Sequence, residues 1–319
     1  MNEPITNSTE LASRLRDPDA GTRQLAVMEL EDVADERALP LLLQALEDPD
    51  ALVRKLAVGR LEELGDARAV PGVIGLLSDA DADVRDAAAA ALRDFRGEEA
   101  ATHMLEAIRH PEPEVRRSVI IGLRELRDAR AIEPLIDALA DEAPAVRREA
   151  VITLAYLRVP QSIEPLRKRL RDADAGVRRV AVGALNVWTS PALLEDFVHA
   201  LADDDWRVRA EAAIVLGRTA LSSAIPGLRR GLLDPYWQVQ KEAIAALGKL
   251  NACVAAPELI DFLKRPMSEL RRTAAYALGD LRAIEAREPL EALTHDPDIE
   301  VRKAAKRALE AITHSEDLS

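Results

Sequence analysis

The side chains able to do chemistry are few, and their spacing assembles no reaction. Five histidines, His103, His110, His199, His295 and His314, are scattered without metal-ligand spacing. There is no Gly-rich phosphate loop and no Gly-x-Ser-x-Gly elbow. The single cysteine, Cys253, excludes a disulfide framework or a cysteine metal site within one chain. It falls near the start of an apolar helix, where a helix N-terminus can lower a thiol pKa, but packing is the plainer reading. The sequence is therefore read as carrying no catalytic residues and no metal.

A different kind of chemistry stands out. All three Trp and all three Tyr lie between residues 156 and 276: Tyr156, Trp188, Trp206, Tyr236, Trp237 and Tyr276. Arg207, Glu211, Arg218, Lys241, Glu242, Arg272 and Thr273 stand at neighbouring registers. Aromatic rings beside arginine are the residue types that dominate binding hot spots.

The elements that position these residues follow from a repeat. Anchors occur at Arg23, Arg54, Arg85, Arg116, Arg147, Arg178, Arg209, Gln240, Arg271 and Arg302, at a constant interval of 31 residues. Leucine stands seven places after every anchor, from Leu30 to Leu309. Alanine stands three places after, with Val119 as the variant, and an apolar residue, usually Val, stands one place before. These offsets trace one stripe of an α-helix, here helix B. Asp48, Asp79, Asp172 and Asp203 are among eight aspartates six places before an anchor, where an N-cap is expected. Pro18, Pro49, Pro235 and Pro297 follow such aspartates and are expected at the first helical position. Between successive B helices runs a second apolar helix, A, opened by prolines such as Pro40, Pro71, Pro165 and Pro257. Each unit is thus a helix pair that must stack on its neighbours to bury its apolar edge.

On this register Trp206 and Trp237 lie three places before their anchors in neighbouring repeats, side by side near the start of helix B and off the core stripe. Tyr276 shares that face one repeat later, whereas Trp188 falls on the core stripe and is expected to be buried. In the first five repeats the exposed B positions are Gln24, Lys55, Asp86, Arg117 and Arg148, a polar face.

Composition bounds the partners. The 319 residues carry a net charge of −13, with acids and bases interleaved along the chain, which opposes nucleic-acid binding. Met1 to Glu10 is polar and lacks the features of a signal peptide, and no apolar run approaches membrane-spanning length. A cytoplasmic protein with no membrane insertion is expected.

The unit resembles the short HEAT repeat of the phycobilin-lyase type. Asp48-Pro49-Asp50 with Val53-Arg54, Ala57, Leu61, Gly65-Asp66, Ala69-Val70-Pro71 and Leu76-Leu77 carry the likeness, which extends over nearly the whole chain. It implies a ladder between adjacent repeats, with Arg54, Arg85, Arg116, Arg147, Arg178 and Arg209 paired to aspartates such as Asp48, Asp79, Asp172 and Asp203. The ladder lapses at His110, Gln240 and Arg265. It also implies that helix B lines a concave face, so that Trp206, Arg207, Arg218, Tyr236, Trp237, Lys241, Arg272 and Tyr276 form a binding patch. The iron-ligating His-Glu pairs of HEAT-repeat hydroxylases resembling deoxyhypusine hydroxylase are missing.

The expectation is an all-α solenoid over residues 1–319, a superhelix of ten stacked antiparallel helix pairs. Residues 1–16 form an N-terminal cap region and 310–319 a flexible tail. The function expected is a non-catalytic protein-binding scaffold, adaptor or maturation factor without a cofactor. The alternative implied by the resemblance is a bilin lyase or isomerase subunit holding a linear tetrapyrrole.

Overall fold

The computed structural model describes residues 8–30, 38–188, 191–219 and 221–316. Every regular element among them is helical. The chain divides into two compact units, Met1–Ser162 and Ile163–Ser319. Each contains five A–B helix pairs. In the first unit the pairs are α1 (Ser8–Arg14) with α2 (Ala20–Glu29), α3 (Ala38–Ala45) with α4 (Ala51–Leu64), α5 (Val70–Gly75) with α6 (Ala82–Ala91), α7 (Gly97–Ala107) with α8 (Pro113–Leu126), and α9 (Ile132–Ala138) with α10 (Pro144–Tyr156). In the second they are α11 (Ile163–Arg169) with α12 (Ala175–Leu185), α13 (Pro191–Ala200) with α14 (Trp206–Leu216), α15 (Ile225–Gly231) with α16 (Trp237–Lys249), α17 (Ala256–Phe262) with α18 (Ser268–Asp280), and α19 (Arg287–Leu293) with α20 (Ile299–Glu316).

The core follows the repeat register. The residues three places after the anchors, Ala26 through Ala305, are fully buried. So are the leucines seven places after, from Leu30 through Leu278; Leu309 in the last helix is partly exposed. Small residues at the first position let adjacent B helices close up, and the leucines fill the space between the A and B layers.

The start of helix B lies two residues later than the sequence suggests. The N-caps are four places before the anchor: Asp19, Asp50, Asp81, Asp174 and Asp205. Asp50 Oδ1, for instance, accepts the Val53 amide at 3.0 Å. A cap must reach the second or third amide of the helix, which the aspartate at the earlier position cannot do. Pro18, Pro49, Pro235 and Pro297 therefore precede the cap, whereas Pro113 and Pro144 occupy the first helical position.

Several B helices end on a left-handed residue eleven places after the anchor: Gly65, Arg127, Arg158, Asn251 and Arg282. The amide of Gly65 closes the last turn on the Leu61 carbonyl at 3.0 Å. Only Gly65 adopts this conformation without steric penalty.

The second unit has a feature the first lacks at the same register. A Cβ built on Gly217 would lie 2.9 Å from the Ala246 Cα; on Gly248 or Gly279 it would lie 2.8 Å from the Cα of Ala277 or Ala308. Helices α14, α16, α18 and α20 thus touch backbone to backbone. The first unit has Glu62, Arg93 and Arg124 at the glycine position.

The tail expected over 310–319 is helical as far as Glu316, because α20 continues through 18 residues. The cap region contains α1, and residues 1–7 and 317–319 lie outside the described residues.

Candidate functional site

The anchor arginines join adjacent repeats. Arg23, Arg54, Arg116, Arg178, Arg209 and Arg271 donate in fork fashion to Asp48, Asp79, Asp141, Asp203, Asp234 and Asp296, with Nε–Oδ2 distances of 2.6–2.8 Å and Nη2–Oδ1 distances of 2.7–2.9 Å. The remaining nitrogen, Nη1, donates to the carbonyl six places back in its own repeat, as from Arg54 to Asp48 at 2.8 Å and from Arg147 to Asp141 at 2.8 Å. One guanidinium therefore pins its own A–B turn and grips the next. The guanidinium of Arg54 holds the Asp79 carboxyl below the usual range, and Arg271 does the same for Asp296. Asp172 is buried, accepts the Asp174 amide at 3.0 Å and lies 3.2 Å from Arg169 Nη1.

Two rungs differ. Gln240 keeps the contact within its own repeat, donating to the Asp234 carbonyl at 2.8 Å, and it faces a repeat that carries Arg265 where eight repeats carry aspartate. A neutral amide thus replaces the arginine at the seam where two guanidinium groups would otherwise meet. At the other, Arg85 is followed by His110.

Three aromatic residues of the second unit, Trp206, Tyr236 and Trp237, gather at the start of helix B. Trp206 is the first residue of α14 and Trp237 the first of α16. The ring contact that forms is between Trp206 and Tyr236, stacked with centroids 5.8 Å apart and planes 15° from parallel. Trp237 stands next to that pair, 36% exposed. The Arg209 guanidinium lies over the Tyr236 ring at 5.7 Å, so a ladder arginine also braces the stack. Tyr236 occupies the N-cap position of α16, which accordingly has no side-chain cap. Leu233, in the turn before it, is 83% exposed.

The charged companions are mostly paired within their own helix. Arg207 folds back on Asp205, with Nη2–Oδ2 at 2.7 Å, and pulls that carboxyl down to about 2. Lys241 meets Glu242 at 3.0 Å and Arg272 meets Glu269 at 2.5 Å. Tyr276 is exposed under the Arg307 guanidinium at 5.8 Å. Partial burial pushes the Glu211 carboxyl up, against the opposing pull of Arg179 and the exposed Arg218. Glu211 lies where a Cβ on Gly183 would come within 3.0 Å of its Oε1.

Trp188 is not fully buried. Helix α12 ends at Leu185, so the core stripe does not extend to it, and Trp188 is partly exposed in the following turn. Tyr156 belongs to the first unit, where Arg127 Nη2 donates to its hydroxyl at 2.9 Å and lies over its ring at 5.2 Å. The first unit's B face is less polar than Gln24, Lys55, Asp86, Arg117 and Arg148 suggest, since Leu25, Met28 and Leu52 are exposed. A cleft of about 610 Å³ between α11 and α13, lined by Glu164, Arg167, Lys168, Arg171, Asp196 and His199, has no counterpart in the sequence reading. Cys253 is exposed at the turn before α17. Among the described residues no group of three or more His, Cys, Asp or Glu is placed to hold a metal, and no helix is long and apolar enough to cross a membrane.

Helix pairs in constant register, laddered by arginine and aspartate, define a helical-repeat solenoid with an open helix B face. The chain belongs to the HEAT-repeat family, whose model matches residues 8–93, 100–186, 163–248, 194–267 and 256–319. The PBS lyase HEAT-like repeat matches residues 84–110. No curated protein matches the chain in sequence. Among solved structures it is similar to an engineered protein (24% identity, TM-score 0.53, covering 96% of this chain and 98% of that one). YibA of E. coli is similar at 19% identity and a TM-score of 0.56, over 93% and 99% of the two chains. Kap95p, which binds RanGDP, is similar at 15% identity and a TM-score of 0.65, over 96% of this chain and 50% of its own. These likenesses concern the fold.

Proposed function

We propose that the chain is a non-catalytic protein-binding scaffold, an adaptor or maturation factor, that engages its partner through the helix B face of the second unit. The observation carrying this reading is the braced stack of Trp206 on Tyr236 beside the exposed Trp237 and Leu233. Rings held rigidly at a surface lose little entropy on binding, and the adjacent apolar side chains gain most from being covered. The absence of a side-chain cap at Tyr236 supports the same reading, because a local helix-stabilising residue is given up there for a ring. Kap95p offers a precedent for protein recognition on a HEAT solenoid. The single cysteine fits a reducing, cytoplasmic setting.

The immobilised chain is expected to capture a partner from a lysate of the source cell. Trp206→Ala with Trp237→Ala is expected to lose that partner at unchanged helical content. Undiminished capture by the double variant would remove the siting.

The near-parallel ring pair also supports a second reading, in which a linear tetrapyrrole is the ligand stacked on this surface. Adding bilin would then shift its visible band and quench tryptophan fluorescence. No change at saturating bilin rejects that reading.

A further inference from the structure

We infer that Arg85 and His110 form an open rung of the ladder, which takes a carboxylate from outside the chain. In six rungs the Nε–Nη2 edge of the anchor arginine is filled by an aspartate of the next repeat. Arg85 is oriented as those arginines are, because its Nη1 donates to the Asp79 carbonyl at 2.7 Å and to the Ala80 carbonyl at 3.0 Å. Its other edge meets no acceptor among the described residues. The residue at the aspartate position is His110.

His110 copies only half of what aspartate does. In the regular repeats the aspartate Oδ1 also accepts the amide two residues on, as Asp79 does from Asp81 at 2.8 Å. His110 Nδ1 accepts the corresponding amide of Glu112 at 3.2 Å. A neutral imidazole that accepts at Nδ1 carries its proton at Nε2, so His110 brings a donor where aspartate brings an acceptor. The nearby Glu112 carboxylate accepts from the Ser78 hydroxyl at 2.6 Å and makes no hydrogen bond with Arg85. At the aspartate position of this seam the Arg85 edge thus meets a side chain that brings a donor in place of a carboxylate.

A fixed guanidinium fork matches a carboxylate in bidentate fashion, and an aspartate carboxylate is what occupies this edge in the other rungs. The ligand class is therefore the carboxylate side chain of an acidic polypeptide segment. The site is in the first unit and stands independently of the aromatic face.

Acetate is the probe, titrated at constant ionic strength while the arginine Nε–H resonances are followed by NMR. The Arg85 signal is assigned by its loss in Arg85→Lys. It is expected to shift saturably in the wild-type chain. His110→Asp supplies the missing acceptor, so it is expected to abolish the acetate response and to raise Tm by about 2 °C. No acetate response in the wild type, or a response that persists in His110→Asp, would overturn the site. A response to inorganic phosphate with none to acetate would overturn its assignment to carboxylates.

Discussion

Trp206 stacks on Tyr236 across a repeat boundary, joining the first residue of α14 to the cap position of α16 with ring centroids 5.8 Å apart. The contact couples two kinds of information in the sequence. The position before helix B is normally a cap, as at Asp50 or Asp174, and the next is normally small or proline, as at Ala51 or Pro144. Repeats seven and eight set aside these local preferences at adjacent places, and the rings they gain are the ones that meet.

Breaking one rung should be felt by the whole second unit. Arg178 donates to Asp203 at 2.7 and 2.8 Å, and both side chains are largely buried. Arg178→Ala leaves a carboxylate without its principal donor and is expected to cost about 2 kcal/mol in urea unfolding. Combining it with Asp203→Ala should cost less than the sum of the single variants, as a double-mutant cycle would show. Strict additivity would mean that the rung carries no coupling.

Two glycine-to-alanine changes should have opposite signs. At Gly248 the new methyl would meet the Ala277 backbone at 2.8 Å, so the helices must part, at a cost of about 1–3 kcal/mol. At Gly59, inside α4, no atom lies within 4 Å of the new methyl. There the variant is expected to gain about 0.5–1 kcal/mol from helix propensity. Thermal unfolding of the two variants side by side checks both.

Helix α18 has Met267 at its N-cap position and no side-chain cap. Met267→Asp restores the acceptor found in most repeats and is expected to stabilise by about 1 kcal/mol. Tyr236→Asp should gain less, because the same change removes the ring stack. Matched denaturant titrations of the two would show the difference.

Stability should fall on acidification within a defined window. The carboxyls of Asp79, Asp205 and Asp296 titrate below their ordinary range because arginines hold their charged forms. A depressed folded-state pKa stabilises the fold above the unfolded value, near 3.9, and that contribution disappears as pH falls through the folded value. For Asp205 the folded value is about 2. The loss is therefore expected between about pH 4 and pH 2, followed by circular dichroism. Glu211 has the opposite sign, since burial raises its carboxyl. Glu211→Gln should relieve a penalty at pH 7 and make no difference near pH 3.

The repeat made most of the fold legible, because one interface recurs at each step and each recurrence fixes the register of Ala57, Leu61 and their equivalents. The helix start is ambiguous in sequence because Asp48-Pro49-Asp50 offers two aspartates, and the ladder aspartate Asp48, bound to Arg23, is not also the cap, which is Asp50. Trp188 departs from the core stripe because α12 ends at Leu185, three residues before it. For the candidate face, the rows of Trp206 and Trp237 were visible, but the ring partner of Trp206 depends on the turn that carries Tyr236. Leu233 is legible as an outlier in sequence, since the same place holds Arg16, Glu47, Arg109 and Lys264 in other repeats. The division at Ser162 leaves no trace in the period, which runs through it unchanged.

Gln240 has one further consequence. A stack whose units touch only their neighbours behaves mechanically as springs in series, so a pull on its ends is taken up first by the softest joint. Between repeats eight and nine the ladder rung is missing, while the backbone contact of Gly248 with Ala277 and the ion pair of Arg229 with Glu258 remain. That joint is therefore held at its A helices and its B helices but not at the A–B turn, where the other joints of the second unit carry the rung. Under load within the second unit, that turn is expected to open before the turns that keep their arginine and aspartate, so the joint would hinge about its paired helices.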